Sequence, residues 1–198
     1  MSQDKTPDPP QMNLVTLQAL ERLVPRSRQL VITGVTLIVL GSAAVTILAV
    51  SSIVSLVPIG MILLVGALME TGVGHHARGG TDGPATPWLK SGMLLAFAGV
   101  CTLTAPLLPS ILFTSMTGLS LMAAGWFRLR ATSFGPLRQK SAIVPVSASL
   151  SILIGVLLVT RWPGENLTAT GNLLAIELVA TGWGLVGLGL TLGRMRRN

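Results

Sequence analysis

The sequence predicts an all-α, polytopic membrane protein with six transmembrane helices arranged as three tandem helical hairpins, preceded by a short amphipathic N-terminal helix. Three observations carry this reading. First, 50% of the 198 residues are hydrophobic and 11% are charged, with a mean hydropathy of +0.71. A soluble domain needs about a quarter of its residues charged to cover its surface. Second, the charges stand outside long apolar runs. None lies between Arg28 and Glu70, Lys90 and Arg128, Lys140 and Arg161, or Glu177 and Arg194. Third, small residues recur at a fixed long period, as set out below.

Residues 1–10 contain Asp4, Asp8, Pro7, Pro9 and Pro10 and are expected to be disordered. The first long apolar run begins only at Leu30, a poor secretory signal, so no cleavage is expected. Residues 11–28 are expected to lie on the membrane surface. Met12, Val15, Ala19, Leu20 and Leu23 share one side of a helix and Gln11, Gln18, Glu21 and Arg22 the other, with Asn13 and Leu14 breaking the pattern.

A helix needs roughly 17 to 25 apolar residues to cross a bilayer. The run from Leu30 to Met69 holds two crossings, about 29–49 and 52–70, divided at Ser51-Ser52. The run from Ser91 to Phe127 holds two more, about 89–105 and 109–127. Pro106 and Pro109 mark the break, because proline lacks the backbone donor that a continuous helix requires. A fifth span is expected at about 141–160, ending at Arg161-Trp162-Pro163-Gly164, and a sixth at about 168–192. The six-helix domain thus covers about 29–193, with hairpins at 29–70, 89–127 and 141–192, and a basic tail at 194–198.

Orientation follows from Lys and Arg, which accumulate in cytoplasmic segments. Lys5, Arg22, Arg26, Arg28, Arg78, Lys90, Arg128, Arg130, Arg138, Lys140, Arg194, Arg196 and Arg197 fall on one side, against Arg161 alone on the other. Both termini are therefore expected in the cytoplasm. The net charge of +7 is a topology signal and not a nucleic-acid surface, because the basic residues flank apolar runs. Trp88, Trp126 and Trp162 fall at helix ends, where indole rings anchor among headgroups.

The period appears in both helices of each hairpin. Gly34 and Gly41 are followed by Gly92 and Gly99, then by Ala148 and Gly155, at offsets of 58 and 56. Gly60, Gly118 and Ala175, like Ala67, Gly125 and Gly182, follow at 58 and 57, and Pro106 and Pro163 stand 57 apart. Each hairpin has two spans, so all three insert in the same orientation. Small residues let helix backbones approach closely in lipid. Gly34, Gly41, Gly92, Gly99, Gly155, Gly182, Gly184 and Gly187 are thus the expected packing positions. The last helix, with Gly182, Gly184, Gly187, Gly189 and Gly193, suits either close packing within the chain or an oligomerisation face.

Few residues carry chemistry. Glu177 is the one charged residue expected deep within a span. An ionised carboxylate there costs several kcal/mol unless paired or hydrated. Two readings stand: a structural Glu bonded to Thr181, Ser149 or Ser151, or a site of proton sensing or translocation. Glu70 and Arg128 close equivalent ends of the second and fourth spans; a salt bridge between hairpins and separate interfacial positions both fit. His75-His76 lies among Gly72, Gly74, Gly79 and Gly80, with Asp82 the nearest acid and no carboxylate or Cys at ligand spacing, so no metal site is expected. Asn166-Leu167-Thr168 matches a glycosylation acceptor formally but lies too close to the membrane to carry meaning. Cys101, the single cysteine, excludes an intramolecular disulfide and a cysteine zinc cluster. With no Walker loop, HExxH or GxSxG and only two His, no enzyme activity and no cofactor are expected.

In the stretches Gly66-Ala67-Leu68-Met69-Glu70, Gly92 with Gly99-Val100 to Pro106, Ala123-Ala124-Gly125-Trp126-Phe127-Arg128, and Gly155-Val156-Leu157-Leu158 to Trp162-Pro163, the chain resembles the HdeD-type acid-resistance membrane proteins of bacteria. The resemblance covers about residues 29–192. The first hairpin departs from it, with Ala49 to Ser52 where the others carry proline. The resemblance implies a six-span inner-membrane protein linked to acid-stress survival, without family active-site residues to carry over. The expected role is acid or stress tolerance through membrane assembly or interaction. Expected partners are the lipid bilayer and a second copy or another membrane protein, with no nucleic acid. The rival expectation is a small proton-linked transporter or channel in which Glu177 lines a wet path.

Overall fold

The computed structural model describes residues 27–50, 56–76, 86–108, 110–133, 143–162 and 167–197, and among them every regular element is helical. The helices are α1 (Ser27–Val50), α2 (Val57–His76), α3 (Thr86–Leu103), α4 (Ser110–Ser133), α5 (Ile143–Val159) and α6 (Leu167–Arg197). Three contain stretches long and apolar enough to cross a membrane, Ser27–Leu48, Ser110–Arg130 and Leu167–Arg194; shorter apolar stretches occupy Val57–Gly72, Pro87–Leu103 and Ile143–Val159. The protein is therefore a helical membrane protein. The N-terminal readings before Ser27, the turns at Ser51-Ser52 and Pro163-Gly164, and Pro109, Gly79, Gly80, Asp82 and Asn166 lie outside the described residues. The segment read as a basic tail continues α6 to Arg197.

In lipid no water satisfies the backbone, so every span has to close its own hydrogen bonds. The prolines obey this. Pro58, Pro87 and Pro145 each stand in a first helical turn, where a missing N–H breaks no bond. Pro106 lies in a 3-10 turn, Ala105–Leu107, between α3 and α4. At the end of α5 the Arg161 N–H donates to Leu158 and the Trp162 N–H to Leu157, with Arg161 at φ 54. That is a left-handed helix stop of Schellman type, built on Arg where Gly is usual. Hydroxyls turn inward as well: Thr71, Thr102, Ser120 and Thr191 each donate to the carbonyl four residues earlier, a pattern that removes their polarity from lipid.

The most extensive packing joins neighbouring hairpins: α2 with α3, α4 with α5, and α6 with α1. Within hairpins, α3 packs on α4 and α5 on α6, while α1 and α2 touch sparingly. Glycines set this pattern. A Cβ on Gly99 would come within 3.1 Å of the Leu64 amide, one on Gly155 within 2.8 Å of Met122 N, and one on Gly41 within 3.1 Å of Val179 N. Leu64, Met122 and Val179 are themselves 58 and 57 apart. The same antiparallel contact, in the same register, thus occurs three times. The third copy joins the last helix to the first and closes the bundle as a pseudo-threefold ring. A sequence repeat predicts equivalent helices; this closure is what the structure adds.

Four glycines of α6, Gly182, Gly184, Gly187 and Gly189, pack tightly within the chain. A Cβ on Gly182 would meet Gly34 O at 2.6 Å and one on Gly189 would meet Val31, both on α1; Gly184 faces Ser147 and Gly187 faces Ile143, both on α5. Of the two uses open to that stripe, the structure takes close packing within the chain. The outer surface is instead bulky, with Ile32, Val39, Ile47, Leu68, Met93 and Leu119 all more than half exposed. Trp126 and Trp162 are exposed on it, but Trp88 is 8% exposed and belongs to the core. This corrects its reading as a headgroup anchor: Trp88 lines a small cavity beside Glu70 and Arg128.

Candidate functional site

The bundle centre holds a polar cluster drawn from five helices. Arg128 on α4 reaches inward. Its Nε donates to Glu70 Oε1 and its Nη2 to Glu70 Oε2, both at 2.7 Å, a two-pronged contact with the carboxylate of α2. Its Nη1 turns to the other side, donating to Ser151 Oγ at 2.9 Å and to Glu177 Oε1 and Thr181 Oγ1 at 3.1 Å. Ser91 on α3 donates to Glu70 Oε1 at 2.8 Å, and Ser151 on α5 to Glu177 Oε1 at 2.7 Å. Thr181 donates to the same Glu177 oxygen at 3.2 Å.

Burial makes these bonds strong and costly to break. Glu177 is 0%, Glu70 1% and Arg128 2% exposed. Glu177, expected as the one charge deep within a span, is not alone in the bundle interior: Glu70 and Arg128 are buried with it. The physical reason is mutual pairing. A single ion is expelled toward the headgroups, whereas a guanidinium forked onto a carboxylate carries its partner charge inward. The structure brings Glu70 and Arg128 together and ties Glu177 to them through Arg128, a link that sequence spacing did not reveal. Of the hydroxyls considered for Glu177, Ser151 and Thr181 bond it, while Ser149 is exposed.

One guanidinium faces two carboxyl groups. Glu70 uses both oxygens, but Glu177 uses one: its Oε2 is buried and, among the described residues, without a hydrogen-bond partner, as are Thr117 Oγ1 and Asn172 Oδ1. With both carboxyls ionised the cluster keeps an uncompensated negative charge; one added proton neutralises it. Beside Glu70 and Arg128, lined also by Trp88, Ser147, Thr181, Gly184 and Leu185, is a cavity of about 10 Å³, roughly the space of one water centre.

The repeat explains where these charges sit. Glu70 and Arg128 are 58 apart and Leu185 follows 57 later, so the three hold one equivalent position, as Glu, Arg and Leu. Thr33, Ser91 and Ser147 form a second set, a hydroxyl in each repeat. Glu177 stands where the earlier repeats have Ser120 and Ile62. The cluster is thus where three like units become unlike. Comparing repeats at the Glu70 position is the signal that would have found the pair at the axis.

The packing glycines Gly34, Gly41, Gly92, Gly99, Gly155, Gly182, Gly184 and Gly187 lie at helix contacts around this centre. His75 is exposed at the end of α2. Among the described residues no three His, Cys, Asp or Glu side chains gather as a metal would need. Cys101 is buried and free.

A family model described as a short repeat of unknown function (DUF308) matches residues 91–160, from the first turns of α3 to the end of α5. No curated protein matches the chain, and no solved structure does.

Proposed function

We propose that this is a non-enzymatic protein of the bacterial inner membrane, with both termini in the cytoplasm, that contributes to acid or stress tolerance by interaction within the membrane. The observation that carries this reading is the Glu70–Arg128–Glu177 cluster. It joins three helices of a ring that is closed by glycine contacts, and the cavity beside it has room for about one water centre. Such a cluster favours one fixed arrangement of helices. The resemblance to HdeD-type proteins supports the link to acid stress, and the matching repeat is the one found in HdeD-like membrane proteins. The distribution of Lys and Arg supports the orientation. With the glycines used inside the chain, contacts to a second copy or another membrane protein fall to the bulky outer faces.

A second reading, proton handling, is favoured by one feature: Glu177 Oε2 has no partner among the described residues. One experiment separates the two. Cells lacking the protein are challenged at low pH with wild type, Glu177→Gln or Arg128→Met restored at equal membrane abundance. Rescue by wild type and by Glu177→Gln supports interaction, with the carboxyl acting as a structural acceptor. Rescue by wild type alone, with Glu177→Gln inserted and folded, moves the reading to proton handling. Equal survival with and without the wild-type protein would sink acid tolerance.

A further inference from the structure

We propose that the groove between the start of α1 and the end of α6 is a binding site for the headgroup of an anionic phospholipid. Ser27, Arg28 and Val31 form one wall and Leu190 and Arg194 the other, with Gly189 and Gly193 as the floor, around a volume of about 360 Å³. Arg28 and Arg194 are exposed, and among the described residues neither forms an ion pair. They come from different helices, so the fold brings two guanidiniums to one concavity that no local run of sequence encodes.

The two glycines differ in a way that points to a ligand. A Cβ on Gly189 would strike Val31 Cγ2 at 2.7 Å and Ser27 O at 2.8 Å, so its lack of a side chain is needed for α1 to pack on α6. Among the described residues a Cβ on Gly193 would find only Ser27 Oγ, at 3.9 Å. Packing among these residues does not require glycine there, and its absent side chain leaves the groove open between the arginines. Both arginines stand at the ends of membrane-crossing stretches, Ser27–Leu48 and Leu167–Arg194, at headgroup level. Below them Val31 and the half-exposed Leu190 continue the wall into the apolar zone. A phosphate flanked by arginines above an acyl chain lying on Leu190 matches this order of chemistry, and basic pockets between helices take anionic headgroups on these grounds. The assignment holds for either leaflet and is independent of the role proposed above.

The test is lipid retention by the full-length protein. Detergent-purified protein is exchanged into mixed phosphatidylglycerol and phosphatidylcholine, and the lipid retained per protein is weighed by native mass spectrometry. Wild type is expected to retain one phosphatidylglycerol in preference to phosphatidylcholine. Loss of each arginine should cut that preference about fivefold, so Arg28→Gln/Arg194→Gln is expected to abolish it and Arg28→Lys/Arg194→Lys to keep most of it. Gly193→Leu, whose Cβ meets nothing closer than Ser27 Oγ at 3.9 Å, should displace the lipid while helicity and detergent sizing stay unchanged. Equal retention of both lipids by wild type overturns the proposal, as does a preference that survives both Gly193→Leu and the double Gln variant. Displacement of the lipid by millimolar inorganic phosphate alone would overturn it too, assigning the groove to a free anion.

Discussion

At Arg128 one guanidinium serves two carboxyl groups, so the cost of removing any member depends on what the others are left without. Arg128→Met strands Glu70 and Glu177 in the core and is expected to destabilise the bundle by about 3–5 kcal/mol, read as lost thermal stability in detergent. Replacing all three ions by neutral residues of like shape, Glu70→Gln/Arg128→Met/Glu177→Gln, strands no charge. It should recover most of that loss. A triple variant no more stable than Arg128→Met would show that the charges themselves hold the helices. Reversal gives a sharper distinction. Were Glu70 and Arg128 an isolated pair, Glu70→Arg/Arg128→Glu would restore it; here the swap sets a carboxylate beside Glu177, Ser151 and Thr181, and the double variant is expected to be no better than the worse single one. These residues also mark the limit of what spacing reveals. Glu177 was legible because a carboxylate stands alone in an apolar run. The depth of Arg128 was not, since a cation at the end of a span reads equally as an anchor, and only the facing helices decide whether it turns inward.

Between helices, the same residue type does opposite work at different places. Gly34 and Gly182 lie backbone to backbone, and a Cβ on either would come within 2.6 Å of the other's carbonyl oxygen. Gly34→Leu must push α1 off α6 and is expected to cost about 1–3 kcal/mol or to open the ring. Among the described residues Gly72, near the end of α2, would meet nothing within 4 Å if given a Cβ. There Gly72→Ala is expected to be neutral or to stabilise by up to about 1 kcal/mol. A thermal-unfolding comparison of the two variants checks both, and equal losses would refute the division into packing and spare glycines. The sequence made the number of spans and the period of the small residues legible, because both follow from apolar length and spacing along one chain. Which helix each glycine faces was not, because that is a relation between distant segments. The stripe on α6 resolves into two faces, Gly182 and Gly189 toward α1 and Gly184 and Gly187 toward α5, which one-dimensional spacing merges into a single feature.

As a whole the molecule is a ring whose joints are α2 with α3, α4 with α5 and α6 with α1, and the last of these brings the start of the first helix beside the end of the last. Gly189 lies against Ser27 and Val31, so nothing in the packing identifies this joint as the place where the chain must begin. The physical demand is only that three like units follow one another around the axis. A circularly permuted chain that starts within residues 134–142, runs through α5 and α6, and joins residue 198 to residue 1 should therefore build the same bundle. In the permuted chain residues 1–26 would connect α6 to α1, and the start of α1 lies beside the end of α6, as permutation requires. Each hairpin contributes two spans, so the permuted order keeps every helix in its original direction across the membrane. The loop between the fourth and fifth spans, with Arg138 and Lys140, becomes the new termini on the same side as before, in keeping with the bias of Lys and Arg. The expected result is a monodisperse protein of unchanged helicity whose stability still falls on Arg128→Met, since Glu70, Arg128 and Glu177 meet at the axis in either order. Aggregation of the permuted chain, or a stability indifferent to Arg128, would mean that the order of insertion, and not the closed ring, specifies the fold.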